Sequence, residues 1–252
     1  MAGHSKFANI KHRKGRQDEA RGKLFSKLAK EVMSAAREGG GDPGMNLRLR
    51  YAIDRAKACS MPRDNIERAI KKGTGELGGG SLEELLYEAY APGGVAILIE
   101  ALTDNRNRTA SEVKSIVEKR GGTWAQSGSV SFMFKRCGVF LLSKDKAPAE
   151  DDLMEVVLDA GGEDLIDEDE YWEVRSEPTS FHQVLTAFEA KEIPLEDSSI
   201  SWIPDNSVPV GKKADAEKIL KVIDALEDCD DVTKVSSNFD IPEEMLAEIQ
   251  GS

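Results

Sequence analysis

Gly73-Thr74-Gly75-Glu76-Leu77-Gly78-Gly79-Gly80-Ser81 is the stretch on which the organisation of this 252-residue chain turns. Five glycines among nine residues predict a flexible linker. Before it, apolar residues recur only at helical spacing. After it, short apolar runs alternate with amphipathic helical segments. The same letters match G-x-G-x-x-G, but they follow a predicted helix instead of a strand. The dinucleotide-binding context is therefore missing, and linker is the better reading.

Upstream of the linker, Leu24, Phe25, Leu28, Val32 and Ala36 predict a helix from about Asp18 to Arg37. Lys23, Lys27 and Lys30 are expected on its solvent side. A second helix is expected at about Asn46–Ala58. A third opens with Pro62 in its first turn and stops before Gly73. Downstream, Leu85–Ala91 and Val95–Leu102 flank Pro92-Gly93-Gly94 as a hairpin. A helix at about Arg108–Arg120 and a strand around Ser129–Phe134 follow. Strand 139–143, helix 149–160, strands 163–167 and 171–175, helix 180–190 and strand 198–203 give the β-α-β-β-α-β order of a ferredoxin-like unit. A helix at about Asp215–Glu227 and a strand at Val232–Ser236 supply the missing half of the unit begun at residue 82.

The expected fold class is therefore α+β in three domains. Residues 1–80 form a basic arm and helical domain, and residues 81–136 plus 207–240 form a discontinuous α+β domain. An acidic ferredoxin-like domain at 137–206 is inserted in the latter, and a C-terminal helix occupies 241–252.

Charge follows the same divisions. The 34 Lys+Arg and 46 Asp+Glu give a net charge of −12, which read alone argues against a polyanionic partner. Residues 1–80, however, hold 18 basic and 9 acidic side chains, and residues 145–205 hold 3 basic and 19 acidic. A basic module is joined to an acidic body, which marks the basic part as a contact surface. No apolar run approaches the roughly 20 residues of a membrane span. The start, Met1-Ala-Gly-His-Ser-Lys-Phe7, lacks the apolar core of a secretory signal. Cys59, Cys137 and Cys229 form no Cys-x-x-Cys pair, as expected of a cytoplasmic protein.

The sequence holds no G-x-x-x-x-G-K-[ST], His-Glu-x-x-His or G-x-S-x-G, so no catalytic residue, cofactor or metal is expected. Asn107-Arg108-Thr109 fits a glycosylation acceptor, which a cytosolic chain never presents to that machinery. His182 reads as a surface or cap residue. The acidic run Glu163–Glu170 lacks the turn glycine and distant Glu of a Ca²⁺ loop. Asp228-Cys229-Asp230-Asp231 reads as a helix-to-strand connection.

The nucleic-acid-binding candidates are Lys6, Lys11, His12, Arg13, Lys14 and Arg16 in the arm; Arg48, Arg55, Lys71 and Lys72 in the helices; and Arg106 and Arg108 beyond the hairpin. Four permanent charges among Lys11–Arg16 are dense enough to neutralise phosphates, against the plainer reading of a solubilising tail. Arg48 and Arg55 share a helix face, as recognition residues or as a solvated face. Arg106 and Arg108 stand beside a helix N-terminus, which attracts anions, while Asp104, Asn105 and Thr109 are explained by capping.

Met1-Ala-Gly-His-Ser-Lys-Phe-Ala-Asn-Ile-Lys-His-Arg-Lys14 resembles the opening signature of the YebC/PmpR family. So do Gly41-Asp-Pro43, Asn46-Leu-Arg-Leu-Arg50, Ala52-Ile-Asp-Arg-Ala-Lys57, Met61–Gly75, Ala91-Pro-Gly-Gly-Val95, Ala101–Thr109 and Ser127-Gly-Ser-Val130. The family usually has Trp where Phe7 stands and Gly-Tyr-Gly where Ala89-Tyr90-Ala91 stands; the changes would weaken stacking by the arm and stiffen the hairpin. The resemblance implies three domains, no catalysis, and either of two roles. One is DNA-binding transcriptional regulation. The other is action on ribosomal or transfer RNA with the ribosome, as in a related mitochondrial translational activator and in relief of stalling at proline-rich stretches. A third reading is an adaptor whose acidic domain holds a basic protein surface.

Overall fold

The computed structural model describes residues 21–78, 82–168 and 170–250. Three helices come first: α1 (Arg21–Gly39), α2 (Leu47–Ala58) and α3 (Arg63–Gly73). Their apolar stripes meet in one core of Leu28, Val32, Leu49, Ile53, Met61 and Ile66. The side chain of Asn46 caps α2 by accepting from Leu49 N–H at 3.0 Å. Its amide also donates to the carbonyls of Ala35 and Gly40 at 2.7 and 2.8 Å, which ties the preceding turn down. Pro62 sits at the N-cap of α3. At the other end, a Cβ on Gly73 would lie 2.5 Å from the Met33 carbonyl, so glycine is what lets α3 approach α1.

After the linker, β1 (Glu83–Ala91) and β2 (Val95–Thr103) form an antiparallel hairpin. Its turn uses positive φ at Gly93 and Gly94. Helix α4 (Arg106–Lys119) and the two-residue strand β3 (Thr123–Trp124) follow, and β3 pairs with β1. Next come β4 (Phe134–Ser143), α5 (Glu150–Asp159), β5 (Gly162–Glu168), β6 (Tyr171–Ser176), α6 (Phe181–Ala190) and β7 (Asp197–Pro204). These strands make their own sheet in the order β5-β6-β4-β7, the order of a ferredoxin-like unit. Phe140 of β4 stacks on Phe181 at 4.7 Å and meets Phe188 edge-on at 5.5 Å, which fastens α6 to this sheet.

The chain then passes through β8 (Val208–Pro209), α7 (Lys213–Glu227), β9 (Val232–Ser237), β10 (Phe239–Asp240) and α8 (Glu243–Gln250). β9 hydrogen-bonds to β2, completing the order β3-β1-β2-β9. One sheet is thus begun before the ferredoxin-like unit and finished after it. Two compact units result. Among the described residues, one comprises 128–168, 170–213 and 236–250, and the other comprises 21–78, 82–127 and 214–235.

Two strand expectations are corrected. The strand expected at 129–134 is a 3-10 turn at Ser131–Met133, and β4 runs unbroken from Phe134 to Ser143. Lys135, Arg136 and Gly138 lack strand-like alternation, yet pairing with β7 from Phe134↔Pro204 onward satisfies their backbone. β3, not foreseen, is too short to leave a periodic signal.

Candidate nucleic-acid interface

The site is built on the unit that holds α1–α4, the first sheet and α7. On α1, Glu31 and Glu38 are seven residues apart, and so are Arg55 and Arg48 on α2. The helices run antiparallel so that these residues pair. Arg55 meets both carboxylate oxygens of Glu31 at 3.0 and 3.1 Å, and Arg48 pairs with Glu38. Arg48 reaches further to Glu84 at the start of β1, which also accepts from Ser34 at 2.9 Å. The two arginines therefore share a face, and that face carries carboxylates in register with them.

Lys23, Lys27 and Lys30 were expected to face solvent; Lys23 is exposed as expected, while Lys27 and Lys30 are half-buried against the end of α7. Lys23 donates to the Asp228 carbonyl at 3.2 Å, Lys27 to that of Glu227, and Lys30 to that of Asp230 at 2.9 Å. The last carbonyls of a helix lack intrahelical partners and carry its negative pole, so ammonium groups satisfy both needs. Burial pushes the Lys27 ammonium below its usual range, with Glu227 pulling the other way.

Lys30 also reaches Asp231 Oδ1 at 2.6 Å. On Oδ2 of the same carboxylate converge Arg108 at 2.8 Å, Thr109 Oγ1 at 2.6 Å and Thr103 Oγ1 at 3.1 Å. Arg108 bonds Asp104 as well, at 3.0 Å. Burial alone would raise the Asp231 carboxyl; donation from Arg108, Lys30 and Thr109 outweighs it and holds the group well below the usual carboxylate range. Asp231 lies in a segment whose sequence suggests only a connection. Its partners are 122 to 201 residues away, and no local spacing announces them.

Arg106, Lys71 and Lys72 stand differently. All three side chains are exposed and make no ion pair with a carboxylate among the described residues, and the same holds for Arg68. Arg68, Lys71 and Lys72 are three and four residues apart and share one face of α3. At the start of α4, Asn105 accepts from Arg108 N–H at 3.1 Å, so capping there is real and Arg106 projects beside it. Lys6, Lys11, His12, Arg13, Lys14 and Arg16 lie outside the described residues.

A cleft of about 540 Å³ brings two of the candidates together, Lys72 of α3 and Arg108 of α4. Glu112, Asp230 and Asp231 line it too, with Met33 and Leu82 as apolar wall. It holds both signs of charge. Among the described residues no group of three or more His, Cys, Asp or Glu is placed to hold a metal ion. The G-x-G-x-x-G letters form the last residue of α3 and the turn after it, with positive φ at Gly75 and Gly78. No helix among the described residues is long and apolar enough to cross a membrane.

Comparison with known proteins covers nearly the whole chain. Residues 5–76 match the family described as TACO1/YebC protein N-terminal domain, and residues 82–239 match TACO1/YebC second and third domain. A protein of Halothermothrix orenii named "Probable transcriptional regulatory protein" is 52% identical over 250 residues, 99% of each chain. One of the same name from Maridesulfovibrio salexigens is 51% identical over 250 residues, 99% of this chain and 100% of its own. The crystal structure of a conserved hypothetical protein from Aquifex aeolicus matches with a TM-score of 0.81 at 45% identity, over 90% of this chain and 93% of that one.

Proposed function

The chain belongs to the TACO1/YebC family, and on that premise we propose that it is a non-enzymatic, nucleic-acid-binding regulator of gene expression that acts on DNA in transcription. One observation carries the reading. On α3, Arg68, Lys71 and Lys72 present one cationic face with no carboxylate partner among the described residues, in a chain of net charge −12. Cations left unanswered in so acidic a protein favour phosphate over solvent.

Arg108 shares the cleft with Lys72, and Arg48 and Arg55 on α2 are a second candidate contact. The Arg48 and Arg55 side chains are 46% and 51% exposed, and ion pairs so exposed hold by at most about 1 kcal/mol, so a phosphate competes for them on even terms. Lys6, Lys11, His12, Arg13, Lys14 and Arg16 would add a sequence-independent grip.

The test is the salt dependence of binding of the full chain to duplex DNA and, in parallel, to ribosomal RNA. Replacing Arg68, Lys71 and Lys72 together with Ala is expected to flatten the log–log salt slope by about one unit for each phosphate no longer neutralised. An unchanged slope overturns the role of α3. Much tighter binding to ribosomal RNA than to duplex DNA at the same salt would move the function from transcription to translation.

A further inference from the structure

The mixed charge of the cleft is unlike a surface made only for phosphates. Of its carboxylates, Asp231 is consumed by Lys30, Arg108 and Thr109, and Asp104 by Arg108. The Glu112 and Asp230 side chains make no hydrogen bond or ion pair among the described residues, and neither does Lys72. A continuous phosphate backbone laid here would be repelled by the two carboxylates. A ligand with one phosphate, several N–H donors and an apolar face would satisfy all three groups and rest on Met33 and Leu82.

From this we propose that the cleft takes up a single unpaired nucleotide, and that its base is guanine. The inference rests on the nucleic-acid reading above and deepens it. The volume of about 540 Å³ falls within the roughly 300–1,000 Å³ of small-ligand sites, too small for stacked, paired bases. An unpaired guanine frees its N1–H and N2 amine side by side, a pair of donors that one carboxylate accepts in bidentate fashion. Thymine and uracil offer one N–H between two carbonyl oxygens, which a carboxylate repels. Lys72 meets the phosphate. Arg108, already held by Asp231 and Asp104, keeps that wall of the cleft fixed while the nucleotide enters. A base already out of the stack enters at least cost, so bulges and single-stranded ends are the preferred sources.

The experiment measures binding of the full chain to hairpins identical except for one bulged guanine, one bulged thymine (uracil in RNA) or no bulge. It is run in DNA and in RNA to separate the two sources. The bulged-guanine hairpin is expected to bind about tenfold more tightly than the other two, the discrimination of one good bidentate contact. The double variant Glu112→Gln, Asp230→Asn is expected to lose that preference, with its folding checked by thermal unfolding. Equal affinity for all three hairpins in both chemistries overturns this inference while leaving the regulator reading intact. Absence of binding to any hairpin overturns the regulator reading itself.

Discussion

At Asp231 one carboxylate answers two cations and two hydroxyls, so a change there disturbs four interactions at once. Asp231→Asn keeps the shape, removes the charge and leaves Lys30 and Arg108 facing a neutral amide. The expected loss is about 2 kcal/mol in denaturant unfolding, below a fully buried pair because Lys30 and Arg108 reach solvent. The acid dependence follows from the depressed carboxyl. A group whose folded pKa is lowered stabilises fully above its unfolded value, about 4 for Asp, and loses that contribution as pH falls through the folded value. The stability gap between wild type and variant should therefore narrow below about pH 4; a gap constant down to about pH 2 would contradict the linkage. Residue-scale features of this kind are illegible in the sequence for a physical reason. Thr103, Arg108 and Thr109 have the pattern of a capped, cationic helix start, which they are. That they also close around an aspartate beyond the inserted domain depends on tertiary packing alone.

Elements were easier to read, because their ends are set by local chemistry. Asn46, Pro62, Gly93 and Gly94 each fix a boundary through a cap or a backbone angle, and the structure puts boundaries there. The ferredoxin-like order was legible because its helices carry an apolar period and most of its strands an apolar run bounded by turn residues. What failed was the partner of an exposed-looking face. Lys27 and Lys30 keep helical spacing whether they meet water or the end of α7, and hydropathy cannot distinguish the two. The contact has a consequence for local stability. The double variant Lys27→Ala, Lys30→Ala leaves the Glu227 and Asp230 carbonyls and Asp231 without their ammonium donors. Hydrogen exchange is expected to quicken several-fold at the end of α7 and along α1, and to stay unchanged in β4–β7. Uniform acceleration across both sheets would show global destabilisation instead of a local latch.

At the scale of the whole molecule, a net charge of −12 conceals its own arrangement, since residues 1–80 contribute 18 basic against 9 acidic side chains. The proposed binding to a polyanion would set a local attraction against a general repulsion, and the two have different ranges. The contacts proposed at α3 would act over a few ångströms. The acidic unit acts only as far as salt allows, about 30 Å at 0.01 M ionic strength and about 8 Å at 0.15 M. Glu155, Asp159, Asp164 and Glu189 are exposed and make no ion pair among the described residues, so replacing them with Gln or Asn changes charge with little effect on packing. The quadruple variant carries four fewer negative charges. Its affinity for duplex DNA should rise several-fold at 0.01 M ionic strength and match wild type at 0.15 M. A gain that persisted at the higher salt would mean that these carboxylates meet the nucleic acid directly, and the acidic unit would then belong to the interface. A gain confined to low salt leaves that unit as a long-range repulsive term, with specificity resting on the short-range contacts of α3 and the cleft.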